Sequence, residues 1–383
     1  MKYVPRSIQN EILKASKSFP AVLLTGPRRS GKTTLLKKLF PKANYFLLED
    51  TDLIDRIQND PREFLDKLTP PIILDEIQNT PDLFNYIRTL IDASPHKYGQ
   101  WILTGSQEAP LMQKVSESMA GRVAVFELWP LSAKEEPKVS VFKGGFPEII
   151  QKPATSQIWF RSYIQTYLER DVRQIISIKS LATFRRFLSL IASRTGQILN
   201  KTDLAAPLGL SVPTITEWLN ILEITGQIVL VQPYYENFGK RIIKSPKIYF
   251  IDSGLVNYFL GIETEKMLLS SPFLGAVYEG FVASEIVKNQ INHGKRKEIY
   301  YFRDEQGLEI DFLVPMGNNR LRLLEVKATQ TPKPEMVKNL LRLSKNVKSS
   351  TIEMCLVCWP QKAKKNTTQA LSPGVKLINV KDL

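Results

Sequence analysis

The sequence predicts an α/β protein built in several parts, and three observations carry that reading. Ala21 to Leu24 form an apolar run that enters a glycine-rich loop and then a helix. Ile72 to Leu74 form a second apolar run that stops on two adjacent carboxylates. Asp311, Glu325 and Lys327 stand on two neighbouring strand-like segments near the C-terminal end. A chain of 383 residues exceeds one ordinary core, so two or three domains are expected. A hydrophobic content of 43% and a charged content of 23% are those of a globular, water-soluble chain. No apolar run approaches the roughly 20 residues of a membrane helix. The opening stretch, MKYVPRSIQNEIL, has no apolar signal core, which sets the expectation of a cytoplasmic protein. The net charge of +14 favours a polyanionic partner, nucleic acid before a membrane surface.

In chain order, Gln9 to Ser16 read as a helix, and Arg6 just upstream is placed to fold back onto a nucleotide. The first strand then runs into Gly26, Pro27, Arg28, Arg29, Ser30, Gly31, Lys32, Thr33 and Thr34, which fit the phosphate-loop pattern G-x-x-x-x-G-K-[ST] between a strand and a helix. Gly26 and Gly31 let successive N–H groups converge on an anion, and the helix start adds its dipole. Lys32 reaches the β- and γ-phosphates, and Thr33 offers its hydroxyl to Mg2+. All nine residues are therefore candidate cofactor-binding residues, and the cofactors are ATP and Mg2+.

Asn44 to Glu49 read as the next strand, and Asp52 to Leu68 as polar helix and turn with Pro61 at a helix start. The apolar run that follows ends in Asp75 and Glu76, at the strand edge where α/β sheets present ligand-binding groups. Asp75 is placed to hold Mg2+ and Glu76 to polarise the attacking water. The strand Gln100 to Thr104 places a γ-phosphate sensor at its end, Ser106 first and Thr104 second, against the alternative of a plain strand–turn junction. Arg122, before the strand Val123 to Leu128, reads either as a reader of a γ-phosphate, its own or a neighbour's, or as a surface salt bridge.

These residues resemble a family. The phosphate loop with Arg28 and Arg29, the run Asp75 to Gln78, the run Leu103 to Ser106 and the run Gly121 to Val123 are similar to those of AAA-type prokaryotic ATP-binding proteins, whose ATPase domain is joined to a C-terminal domain of unknown function. The likeness continues through Gly144 to Glu148 and Tyr167 to Arg173, and so spans nearly the whole chain. It implies a P-loop ATPase of AAA type that acts as a nucleotide-driven machine or switch and forms a homo-oligomer.

Beyond Pro130, Lys134 to Lys143 read as a polar linker. Ile158 to Ile178 and Phe184 to Arg194 have helical spacing. These helices read either as a lid over the nucleotide, with Arg170 or Arg173 touching a neighbouring subunit's ATP, or as a salt-bridged helix surface. Asn200 to Ile251 read as a winged helix: Lys201 to Leu208, a turn at Gly209, Ser211 as N-cap, and Val212 to Ile224 as recognition helix. The strands Gln227 to Gln232 and Lys247 to Ile251 then flank a wing whose Lys240, Arg241 and Lys244 suit phosphate-backbone contacts. The recognition helix has no Lys or Arg and carries Glu217 and Glu223, so packing against protein is the competing use.

The last part places Glu279 on a helix, Asp311 on a strand, and Glu325-Val326-Lys327 on the next. Glu325 and Lys327, two residues apart, share one face. This resembles the restriction-endonuclease-like α/β core, the nuclease fold of restriction enzymes and archaeal Holliday-junction resolvases. There Glu279, Asp311 and Glu325 would hold one or two Mg2+ and Lys327 would activate water. A retained fold without cleavage is the alternative. Cys355 and Cys358, the only cysteines, have too few partners for a zinc site beside two histidines and read as two small core residues on one strand face. The expected organisation is an ATPase domain at 1–135, a helical and winged-helix middle at 136–255, and a nuclease-like domain at 256–383. The expected activity is ATP hydrolysis coupled to binding, remodelling or cutting DNA, branched DNA included. The alternative is a nucleotide-gated switch that acts through protein partners.

Overall fold

The protein is described by a computed structural model that covers residues 3–106, 109–168, 180–234, 245–345, 347, 351–359 and 372–383. Arg170, Arg173, Lys240, Arg241 and Lys244 lie outside the described residues. The chain divides into two compact units. One takes Met1–Leu131, Ile224–Gly226 and Ile291–Lys295, and the other takes Ser132–Glu223, Gln227–Gln290 and Arg296–Leu383. Among the described residues no helix is long and apolar enough to cross a membrane.

The first unit is built on five strands: β1 (Ala21–Thr25), β2 (Asn44–Leu47), β3 (Ile72–Asp75), β4 (Trp101–Thr104) and β5 (Val123–Glu127). They form a parallel sheet in the order β2-β3-β4-β1-β5. β1, β3 and β4 are buried along their whole length, which is why they read as continuous apolar runs rather than alternating ones. The two faces bury separate clusters, with Leu23, Leu74 and Leu103 on one side and Val22, Ile73 and Ile102 on the other. Strand order does the functional work. β4 lies between β1 and β3, and Leu74 pairs with Leu103, so the end of β3 and the end of β4 arrive together beside the loop that follows β1.

The second unit carries a seven-stranded sheet. Its strands are β6 (Ile228–Pro233), β7 (Lys247–Phe250), β8 (Tyr300–Arg303), β9 (Glu309–Pro315), β10 (Arg320–Lys327), β11 (Thr351–Cys358) and β12 (Val375–Ile378), in the order β12-β11-β10-β9-β8-β6-β7. β9 is antiparallel to β10, while β10, β11 and β12 run parallel. The antiparallel hairpin β6–β7 joins this sheet through β8. The sequence boundary at 255/256 therefore falls inside one unit whose sheet is continuous.

Two expectations change here. Residues 134–143 are not a free linker. Val139 and Val141 are buried, the carbonyls of Val141 and Phe142 accept from Asn257 Nδ2, and Ala133 N–H donates to Glu285. The motif that follows is a docking device. Gly144 has φ +72, and a Cβ there would fall 2.0 Å from Asp252 Oδ1, while Gly145 N–H donates to Asp252 at 2.7 Å. Phe146 packs on Trp159 and Tyr163, and Glu148 accepts from the Trp159 indole. The second change concerns Cys355 and Cys358. Both are buried free thiols, but three residues along β11 puts them on opposite faces of the sheet. Burial pushes each thiol up to about 11, which leaves them unreactive near neutral pH.

Candidate functional site

The loop between β1 and the helix Lys32–Leu39 is folded around positive φ values at Gly26 (+136) and Gly31 (+99). A Cβ at Gly26 would lie 2.2 Å from the carbonyl oxygen of Leu128, so only glycine fits there. Lys32 is buried and donates to the carbonyls of Gly26 (3.0 Å) and Pro27 (3.2 Å), which holds its ammonium inside the loop. The Ser30 hydroxyl is fully buried, with no hydrogen-bond partner among the described residues. Arg28 faces Glu49 at 3.7 Å, Arg29 has φ 63, and Thr34 is exposed. Arg6 is buried behind the loop. Its guanidinium donates to the carbonyls of Ser30 (2.9 Å) and Trp129 (2.6 Å), so it braces the loop backbone.

Asp75, also buried, is the hub of the next layer. Thr33 donates to its Oδ2 at 2.7 Å, Tyr45 donates to the same oxygen at 2.8 Å, and Thr104 donates to Oδ1. Three hydroxyls from three elements thus fix one carboxylate beside the residue that opens the helix. Thr33 and Asp75 present oxygen ligands only, the donor set a hard cation such as Mg2+ takes. Sequence reasoning passed over Tyr45, which reaches Asp75 from the edge strand β2. Burial first, then the bond to Asp75, raises the Tyr45 phenol well above its ordinary value, so it stays a donor. Removing that donor in Tyr45→Phe is expected to raise the Mg2+ concentration for half-maximal ATP turnover by roughly 3- to 10-fold, the net cost of one ordinary hydrogen bond. ATPase rates over a Mg2+ titration check this.

Glu76 follows at φ 60 and ψ 50, a left-handed conformation uncommon for glutamate that ends β3 abruptly. Gln78 Nε2 donates to Glu76 Oε2, a second partner that sequence reasoning left without a role. Ser106 is buried at the end of β4 with its hydroxyl unpartnered among the described residues, whereas Thr104 is the residue that touches Asp75.

Arg122 is not brought to this site. It precedes β5, and Val123 pairs with Ala21 at the start of β1, so Arg122 lies at the opposite edge of the sheet from the phosphate loop. There it forks onto Asp92 at 2.6 and 2.9 Å. That bond holds the Asp92 carboxyl below its usual range. A contact between Arg122 and the nucleotide of its own chain is excluded by this geometry.

In the second unit the alternation of β10 sets Glu325 and Lys327 on one face, and Lys327 Nζ donates to Glu325 Oε1 at 2.7 Å. Leu324 pairs with Phe312, so Asp311 and Glu325 follow side by side, and Asp311 Oδ2 accepts the Val326 N–H at 2.7 Å. Asp311 and Glu325 are both buried, and Glu325 Oε2 has no partner among the described residues. Glu279 takes a different course from the expected one. Lys247 Nζ sits 3.1 Å from its Oε1 and the Tyr249 hydroxyl donates to the same oxygen, so that oxygen is engaged by a lysine and a tyrosine. Among the described residues no group of three or more His, Cys, Asp or Glu is arranged to hold a metal ion. Of the expected set, Asp311 and Glu325 stand side by side, while Glu279 is turned to Lys247 and Tyr249.

Burial, and then the charge of Asp311, pushes Glu279 up to about 7 and Glu325 up to about 8; burial also raises Asp311. These carboxyls bind protons in the native state that the unfolded chain, near 4.5, has released. With a chelator present, native stability should therefore fall as pH rises from about 4.5 to about 8. Glu325→Gln should flatten that slope, as read from thermal midpoints across the range.

Three family models match in succession: an AAA domain over residues 18–136, a domain of unknown function (DUF8612) over 135–266, and a domain of unknown function (DUF4143) over 274–381. Uncharacterized proteins of Mycobacterium tuberculosis and Mycobacterium bovis are each 32% identical over 344 residues, covering 88% of this chain and 75% of theirs. Among solved structures, a Walker-type ATPase of Pyrococcus abyssi aligns at 15% identity, TM-score 0.45, over 66% of this chain and 94% of its own. The Holliday junction branch migration motor of Thermotoga maritima aligns at 17% identity, TM-score 0.31, over 59% and 89%.

Proposed function

Because the chain belongs to the family of AAA-type ATP-binding proteins in which an AAA domain is joined to a DUF4143 domain, we propose that it is a Mg2+-dependent ATPase whose cycle is coupled to binding, remodelling or cutting DNA, branched DNA included. The AAA/P-loop fold supports ATP hydrolysis. The observation that carries the reading is Asp75, fixed by Thr33, Tyr45 and Thr104 beside a complete phosphate loop. Thr33 and Asp75 would hold Mg2+, which would neutralise charge on the nucleotide's phosphates. Lys32 leaves the loop carbonyls for the phosphates. Glu76 takes the proton of the attacking water, and Ser106 and Thr104 stand at the end of β4 to meet the γ-phosphate. The same reading makes the protein a cytoplasmic homo-oligomer.

The DNA half rests on the +14 charge and on the pairing of Asp311 with Glu325 beside Lys327. Asp311 and Glu325 would hold a divalent cation, which would supply Lewis-acid stabilisation at a phosphodiester. Lys327 orients water from the same face. The helix Val212–Ile224 and the hairpin β6–β7 have the makings of a winged helix. Ile215, Trp218, Leu219 and Leu222 are buried, and the exposed positions include Glu217 and Asn220 but no lysine or arginine. That surface supports a reading in which phosphate contacts fall to Lys240, Arg241 and Lys244 and the helix reads no bases. Reversing the charge of these three should weaken DNA binding across sequences. It should also lower the salt slope by about one unit per lost contact, measured by anisotropy titrations at several salt concentrations. Unchanged affinity and slope would move the surface elsewhere.

One observation favours the second reading, a nucleotide-gated switch with a non-catalytic binding module. Glu279 is engaged by Lys247, which leaves only two carboxylates for a cation.

A further inference from the structure

The carboxylates of the second unit fall into two groups with different partners. Asp311 and Glu325 are held by the Val326 N–H and by Lys327. Glu279 and Glu309 share Lys247, whose Nζ lies 3.1 Å from Glu279 Oε1 and 2.6 Å from Glu309 Oε1. Lys247 is 3% exposed and comes from β7, the outer strand of the hairpin, not from the β9–β10 pair that carries the motif. Burial alone would discharge it, but the charges of Glu279, Asp311 and Glu309 together outweigh that and keep it protonated.

We propose that Lys247 is a built-in counter-ion standing where a second cation would stand, so that this cluster takes one divalent cation, at Asp311 and Glu325, and never a pair. This rests on the reading of Asp311 and Glu325 as a cation site. Charge bookkeeping supports it. Four carboxylates face two lysines, Lys247 and Lys327, and the more exposed Arg303 reaches Glu309 Oε2 at 3.4 Å. At most two negative charges remain unbalanced, which suits one divalent cation and is too few for two. A second cation bridging Asp311 and Glu279 would meet the Lys247 ammonium on Glu279, a like-charge contact in a buried setting. The orphaned Glu325 Oε2, buried beside Asp311, is an acceptor that no donor among the described residues meets. The lysine also fixes which carboxylate is the ligand. Glu279 serves as an anchor for the hairpin, with the Tyr249 hydroxyl on the same oxygen.

The test is a count of bound Mn2+ on the nucleotide-free full-length chain, by equilibrium dialysis and electron paramagnetic resonance. The site's share is the difference between the wild type and an Asp311→Asn, Glu325→Gln double variant. The proposal expects a difference of one ion with no spin-coupled Mn2+ pair. It also expects Lys247→Arg to keep one ion and Lys247→Met to admit a second. A difference of two in the wild type, a spin-coupled pair, or a folded Lys247→Met that still binds one overturns the role of Lys247. A difference of zero overturns the cation site itself, whatever Lys247 does. If Lys247→Met fails to fold, the wild-type count and the pair signal still decide.

Discussion

Replacing Glu76 with glutamine is expected to leave ATP binding intact and to cut turnover by roughly 10²- to 10⁴-fold, the contribution of a positioned general base. The amide keeps the size of the side chain and its bond to Gln78 but cannot accept a proton. Lys32→Ala is its counterpart in binding. Lys32 is buried with its ammonium held inside the loop on the carbonyls of Gly26 and Pro27, contacts that it exchanges for the phosphates. Loss of that charge-assisted contact should weaken ATP affinity by roughly 10- to 100-fold. Fluorescent-nucleotide titrations and single-turnover hydrolysis separate the two variants. Equal single-turnover rates for wild type and Glu76→Gln would remove Glu76 from the chemistry.

The second large effect belongs to the other unit. Asp311→Ala should abolish metal-dependent DNA cleavage, a loss of roughly 10³-fold or more, because the carboxylate that pairs with Glu325 is gone and with it the cation's several kcal/mol of transition-state stabilisation. Lys327→Ala should do the same through the water it orients. Both variants should hydrolyse ATP at the wild-type rate, since Asp311 and Lys327 lie in a different compact unit from Asp75. The assay is single-turnover cleavage of duplex, single-stranded and four-way-junction DNA with Mg2+ or Mn2+. No cutting of any substrate by the wild type would leave the fold as a binding module.

How much of this was legible in the sequence follows from which partners are close in the chain. The shape of the phosphate loop was legible, because a glycine-rich turn between a strand and a helix is written in nine consecutive residues, and Gly26 and Gly31 take the positive φ values it calls for. So was the pairing of Glu325 with Lys327, since a period of two on a strand is a local property. Tyr45, Thr104 and Arg6 were not assigned their contacts, because a sheet rather than the chain brings each to its partner. Tyr45 reaches Asp75 only because β2 lies beside β3, and Arg6 meets Trp129 across 123 residues of sequence. Lys247 was read as the start of a wing strand, and only the fusion of that hairpin to the second sheet carries it to Glu279 and Glu309. Arg122 stood between a γ-phosphate contact and a surface salt bridge, and the structure shows the salt bridge to Asp92. In a parallel sheet a residue before a strand lies at the edge opposite the residues after one, so its position ahead of β5 already pointed away from the nucleotide. Gly144 and Gly145 mark the opposite case, a motif visible in sequence whose role is to seat a loop on Asp252.

The most direct measurement of the central claim, that nucleotide turnover and DNA are coupled, is the steady-state ATPase rate of the full-length protein with Mg2+, with and without saturating DNA, at low and high salt. The account predicts a rate that changes with DNA, most with branched DNA, and returns to the DNA-free value as salt releases the phosphate contacts. An ATPase rate identical with and without saturating DNA at every salt concentration would contradict it.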